Sequence, residues 1–174
     1  MQLKQGECMT FYGDIDDDAV KRFKFELKGT NELIILGSKP GDARAKPDGS
    51  DWTDDSTIDR IIAFAMRGWN SPLGFDGFLL INISPSKDFD TNLIHENLEK
   101  IKTYLDGKNG ISVLLAYGDI ESDMKESLNT ILSEMKNHNA KFYRLGKPTE
   151  KGYPRQIYPR KFSNLPITET LHII

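Results

Sequence analysis

Two hydrophobic periods alternate along this 174-residue chain, and that alternation constrains the fold more than any other feature. Residues 33–36 (Leu, Ile, Ile, Leu), 77–83, 111–117 and Lys141–Leu145 are short apolar-rich runs of the kind that form buried strands. Between them the period lengthens to that of a helix. Ile58, Ile61, Ile62, Ala65 and Met66 share one helical face, as do Ile94, Leu98, Ile101 and Leu105, and then Met124, Leu128, Ile131, Leu132 and Met135. Arg22–Leu27 alternates, with Phe23, Phe25 and Leu27 on one side, and reads as a half-buried edge strand. The spacing predicts a single three-layer α/β/α domain over residues 1–174. Its mostly parallel, four-stranded central sheet carries one antiparallel edge strand and right-handed crossovers. Ligands of such sheets bind outside the carboxyl ends of the strands, where the crossover direction reverses.

Composition narrows the chemistry. The only cysteine, Cys8, excludes an intrachain disulfide and a cysteine-rich zinc site and suits a reducing cytoplasm. The first ten residues lack an apolar stretch, so no signal peptide is expected, and no run approaches the roughly 20 residues of a membrane span. His95, His138 and His172 include no metal-binding helical pair and offer poor material for a histidine-dependent hydrolase.

Four strand-end segments carry the candidate residues. The first is Gly37, Ser38, Lys39, Pro40, Gly41 and Asp42, in a connection that runs on to about Thr53, far beyond the usual 2 to 6 residues. Its glycines permit close backbone approach and its proline stiffens the turn, so its amides suit a phosphate or a base edge; a plain turn with an insertion accounts for it equally well. It lacks the Gly-Lys-Ser/Thr of a P-loop. Trp52 either stacks on a planar ligand or pins the loop to the body. Asp54, Asp55, Ser56 and Thr57 follow, with Arg60 one turn on. One carboxylate caps the helix. The other is free to orient water, bond a ligand or hold Mg²⁺, and Arg60 to pair with it or meet a phosphate. Asn82 interrupts an apolar strand near its end, where its amide must bond either loop backbone or a ligand.

The last segment is cationic. Lys141, Arg144, Lys147, Lys151, Arg155, Arg160 and Lys161 stand against one acid, Glu150, giving +6 within a chain of net charge −3. Phe142, Tyr143, Tyr153 and Tyr158 are interleaved with them. Such a segment suits phosphate contact and base stacking, or else is a solvated surface balancing the acidic remainder.

Leu36-Gly37-Ser38-Lys39-Pro40-Gly41-Asp42-Ala43, Asp54-Asp55-Ser56-Thr57-Ile58-Asp59-Arg60, Leu80-Ile81-Asn82-Ile83-Ser84 and Leu115-Ala116-Tyr117-Gly118 come in that order, followed by Leu145-Gly146 and Gly152-Tyr153-Pro154-Arg155-Gln156-Ile157-Tyr158. This set resembles the bacterial and phage family called domain of unknown function 1643, over about residues 22–160. Members of that family carry a strand ending in Asn-Pro-Ser, then Asp-Asp-Pro-Thr-Ile-x-Arg, an Asn-ending strand, Trp-Gly, and Gly-x-Pro-Arg-His-Pro-Leu-Tyr. Here Lys39 replaces Asn, Gly41 Ser, Ser56 Pro, Tyr117 Trp and Gln156 His. If that histidine or asparagine does chemistry in relatives, this chain binds without catalysing. More distantly the layout is similar to the uracil-DNA glycosylase superfamily, whose first strand ends in a Gly-x-x-Pro-Gly-type loop, second in Asn and third in Gly; this is an analogy of fold.

The resemblance implies a small anionic or nucleotide-like ligand, or DNA. The base is expected between residues 37–42 and Asn82, against Trp52 or Tyr117, near Thr57, Arg60 and Gln156, with Lys147, Lys151 and Arg155 on phosphate. In a hydrolase, Asp42, Asp54 or Asp55 would orient water; Lys39 as a nucleophile would need strong desolvation. The rival readings are a non-catalytic module of a phage-defence or DNA-modification system and an Mg²⁺-dependent hydrolase of a phosphate ligand.

Overall fold

A computed structural model describes residues 10–15, 21–53, 56–62, 74–157 and 171–174. Nine strands are described: β1 (Tyr12–Ile15), β2 (Arg22–Leu27), β3 (Glu32–Gly37), β4 (Arg44–Ala45), β5 (Trp52–Thr53), β6 (Gly77–Asn82), β7 (Ser112–Leu115), β8 (Lys141–Leu145) and β9 (Leu171–Ile173). The helices are α1 (Ser56–Ile61), α2 (Ile94–Leu105) and α3 (Lys125–Asn137). Glycine at φ +70, Gly107, follows α2, the left-handed position at which helices commonly end.

The main sheet has seven strands in the order β1-β2-β6-β3-β7-β8-β9. Its centre, β6-β3-β7-β8, is parallel throughout, as the four apolar runs predict. The expectation of one antiparallel edge strand is corrected: β2 pairs antiparallel with β6, β1 lies outside it, and β9 closes the far side. At four and three residues, with Gly13, Asp14 and His172 among them, β1 and β9 are too short and polar to show a period. The long connection after β3 is also more ordered than an insertion, because β4 and β5 pair within it as a small hairpin.

Strand residues alternate between two cores. Leu33, Ile35, Phe78, Leu80 and Leu114 join Ile58, Ile61 and Ile62 of the α1 segment, together with the hairpin residue Ala45. Ile34, Leu36, Leu79, Ile81 and Val113 pack with Ile101, Leu105, Leu128, Ile131 and Met135 of α2 and α3. The chain passes from β3 to β6 on one side of the sheet's middle, then crosses back to β7 and on to β8. The crossover direction therefore reverses at the gap between β3 and β7.

The reading of β2 as half-buried, with Phe23, Phe25 and Leu27 on one face, is also corrected. Asp14 pairs with Lys24 but Ile15 pairs with Arg22, so Phe23 is an extra residue in the ladder. A bulge of this kind turns two successive side chains to the same side. Lys24 Nζ lies 5.0 Å from the Tyr104 ring and Phe23 meets Lys100, both on α2, whereas Phe25 and Leu27 join the α1-side core. Arg22 is thereby aimed at the α1 side, at the strand's site end. Among the described residues no helix is long and apolar enough to cross a membrane.

Candidate functional site

The carboxyl ends of the four parallel strands deliver four loops to one edge. At the end of β3, Gly37 is required by space, since a Cβ there would lie 2.6 Å from the Asn82 side-chain amide. Asn82 ends β6 and is 2% exposed. Oriented as its neighbours require, its amide donates to the Lys39 carbonyl (3.2 Å) and accepts from Arg22 Nη2 (3.3 Å). Arg22, equally buried, donates through Nη1 to the Ala43 carbonyl (3.0 Å). Arg44 donates to the carbonyls of Gly41 (2.7 Å) and Ala43 (2.8 Å). Alternate carbonyls of residues 39–43 are thus held by side chains, and Pro40 is buried between them. Asn97 of α2 completes the frame by donating to the Asn82 and Ile83 carbonyls. Ser38 accepts from the Ser84 amide through its own carbonyl (3.0 Å), which ties this loop to the one after β6.

Ion pairs join the loops at the surface. Lys39 Nζ lies 3.4 Å from Glu121 Oε1, across the gap between β3 and β7. Lys87, after β6, hydrogen-bonds Asp42. That bond and the lysine's charge hold the Asp42 carboxyl below its ordinary value, with Arg44 and Arg22 adding to the effect. A carboxylate so stabilised is a weak proton acceptor at neutral pH.

The loops after β7 and β8 are bonded together. Gly118 has φ +69, and its amide donates to the Pro154 carbonyl (2.9 Å). Gln156 donates to the Tyr117 carbonyl (3.2 Å) and fills the space that a Cβ on Gly118 would need. Thr149 Oγ1 donates to Asp119 (2.6 Å). The turn from Thr149 to Gly152, closed by a 2.9 Å hydrogen bond between their main chains, leaves Lys147 and Lys151 exposed and Arg155 half-buried beside the Gly118 end.

A sequence profile of the family described as "Protein of unknown function (DUF1643)" matches residues 24–155, three quarters of the chain. The chain belongs to the DUF1643 family. The matched span runs from β2 to Arg155 and so takes in all four loops of this edge. No curated protein and no solved structure is detectably similar to it.

Within this DUF1643 chain the remaining candidates are dispersed. Trp52 packs edge-on against Phe11 with ring centroids 4.7 Å apart, pinning the β4–β5 hairpin to the α1-side core. Tyr117 is buried on the opposite, α2–α3 side against Tyr153, and burial pushes its phenol pKa up. Asn82 bonds toward the α1 side, the side on which Trp52 packs, and Tyr117 lies on the other. Thr57 and Arg60 are half-buried on α1. Asp54 and Asp55 lie outside the described residues, as do Tyr158, Arg160 and Lys161. Among the described residues no three His, Cys, Asp or Glu side chains are grouped to hold a metal ion. The cationic segment divides: Lys141 begins β8 at the far edge, Arg144 turns to the Gly146 carbonyl, and among its described residues Lys147, Lys151 and Arg155 follow the carboxyl end of that strand.

Arg22 is the functional-site residue that sequence patterning conceals. Its number in β2 assigns it to the helix side, and only the bulge reverses that. At the amino ends of the strands there is also a polar cleft of about 280 Å³ between residues 29–32 and 108–112, whose charges Lys108 and Glu32 pair with each other at 2.8 Å.

Proposed function

We propose that this DUF1643 protein binds a nucleobase- or nucleotide-like anionic ligand, or a strand of nucleic acid, at the carboxyl edge of its sheet. One observation carries the reading: the Gly118–Pro154 bond ties the segment bearing Lys147, Lys151 and Arg155 to the carboxyl end of β7, the strand beside β3 and its braced 37–43 loop. A fixed backbone loop beside clustered cations suits a flat group with phosphate attached. We read the architecture as a three-layer relative of the uracil-DNA glycosylase layout, on the strength of a Gly-x-x-Pro-Gly loop, an Asn-ending strand and a Gly-ending strand in order. Fold alone does not supply the activity.

Binding without turnover is the form of this reading that Gln156 favours. An amide transfers no proton, and this one is engaged on Tyr117. Asp54 and Asp55 are the residues to which a hydrolytic reading would have to turn. A reducing cytoplasm is the compartment we assign to it.

The test is fluorescence anisotropy with labelled single-stranded oligonucleotides and unlabelled nucleotides as competitors. Replacing Lys147, Lys151 and Arg155 together with alanine should weaken binding at least tenfold and flatten its salt dependence, while Lys141→Ala at the far edge leaves both unchanged. Binding should survive a chelator. Equal losses from the triple variant and from Lys141→Ala, or no binding by the wild type, would overturn the reading. Product formation that Asp55→Asn abolishes while binding persists would turn it from a module into an enzyme.

A further inference from the structure

Two lysines at the carboxyl edge are occupied by carboxylates from neighbouring loops. Lys39 meets Glu121, and Lys87 meets Asp42. The first pair spans the gap between β3 and β7, the place at which a wound sheet opens to its ligands. In both pairs the carboxylate is the more exposed partner. The Glu121 side chain is 65% exposed against 29% for Lys39, and Asp42 is 81% exposed against 60% for Lys87. Each carboxylate can therefore turn into water without leaving a buried charge behind. Lys39 is the better rooted partner of its pair. Asn82 holds the Lys39 carbonyl, and Arg22, itself buried, adds positive potential that persists at Asp42 whether or not the carboxylate stays.

We propose that Lys39 and Lys87 are phosphate-binding residues whose places are kept by Glu121 and Asp42 in the free protein, and that ligand phosphate exchanges with those carboxylates. This deepens the function proposed above and rests on it. It also specifies the ligand. From the loop after β6 to the loop after β8 is three strand spacings, about 14 Å, a breadth that phosphates in series would span more fully than a single phosphate. The ligand carries phosphates in series.

A labelled thymidine tetranucleotide, with thymidine monophosphate as competitor, tests this by anisotropy at low and moderate salt. Asp42→Asn and Glu121→Gln should each tighten tetranucleotide binding about two- to fivefold, the range of an exposed ion pair. Lys39→Met and Lys87→Met should each weaken it and lower the salt slope by about one. Lys39→Arg, which keeps the charge, should retain what Lys39→Met loses. The monophosphate should compete at least tenfold less well than the unlabelled tetranucleotide. Thermal melting confirms that each variant is folded. If the tetranucleotide binds and depends on Lys147 and Lys151 but ignores all four substitutions, or if the carboxylate variants bind more weakly, the exchange is refuted while the proposed function stands. Equal competition by the monophosphate refutes phosphates in series. If neither wild type nor the two carboxylate variants bind either probe, both proposals fall.

Discussion

At Gly37 a methyl group would lie 2.6 Å from the Asn82 side-chain amide, which is itself bonded on both sides. Gly37→Ala should therefore displace Asn82 and release the Lys39 carbonyl, at a cost of about 1–3 kcal/mol. The check is the urea midpoint, expected to fall; an unchanged midpoint with unchanged ligand affinity would mean that the loop is not braced from β6. Asn82→Ala should act in the same direction and by a similar amount, because it leaves the Lys39 carbonyl and an Arg22 N–H short of a partner. Asn82 was legible in the sequence as a polar residue that must find bonds inside an apolar strand, although which bonds was not. Its side-chain partners, Lys39 and Arg22, lie 43 and 60 residues away along the chain, a separation that no local pattern records. Arg22 was legible only as the first residue of an alternating strand.

Among the elements, the four parallel strands were legible as apolar-rich runs, and α2 and α3 because each carries enough residues to display a helical period. The short β1, β4, β5 and β9 were not, since two to four residues define no period and their pairing depends on partners far along the chain. The junction of β7 with the 146–157 segment illustrates how turn chemistry takes over. Gly118 sits at φ +69 with Gln156 packed where a side chain would go. Gly118→Ala should lose about 1 kcal/mol or more and loosen that segment. Limited proteolysis reads this as faster cleavage between residues 146 and 157 than in the wild type, with α2 and α3 protected as before. Uniform sensitivity across the chain would instead indicate global destabilisation.

For the whole molecule, charge counted along the sequence overstates charge gathered in space. Lys141 and Lys147 are six residues apart, yet a five-residue strand separates the two edges at which they stand, about 13–16 Å. Acid stability belongs to this scale too. At the amino edge the Thr30 hydroxyl, followed by the Asn31 amide, holds Asp76 below its ordinary value of 3.8. A folded-state pKa that is depressed contributes stability above the unfolded value and loses it as pH falls through the folded one. Asp76→Asn should accordingly be less stable than wild type at pH 7, and the gap should close below about pH 4. Denaturant midpoints at the two pH values measure it, and a gap that persists in acid would assign the effect to something other than this carboxylate.

The extra residue in β2 has a consequence for how such a chain can change by insertion and deletion. Inserting one residue into β1 between Asp14 and Ile15 would give Phe23 a partner, restore a regular ladder and swing the guanidinium of Arg22 from beneath the loop to the α2–α3 side of the sheet. Most of the strand pairing would survive. A gained codon at this one place would thus leave a folded protein whose rim had come unbuttoned, separating the integrity of the scaffold from the shape of its mouth.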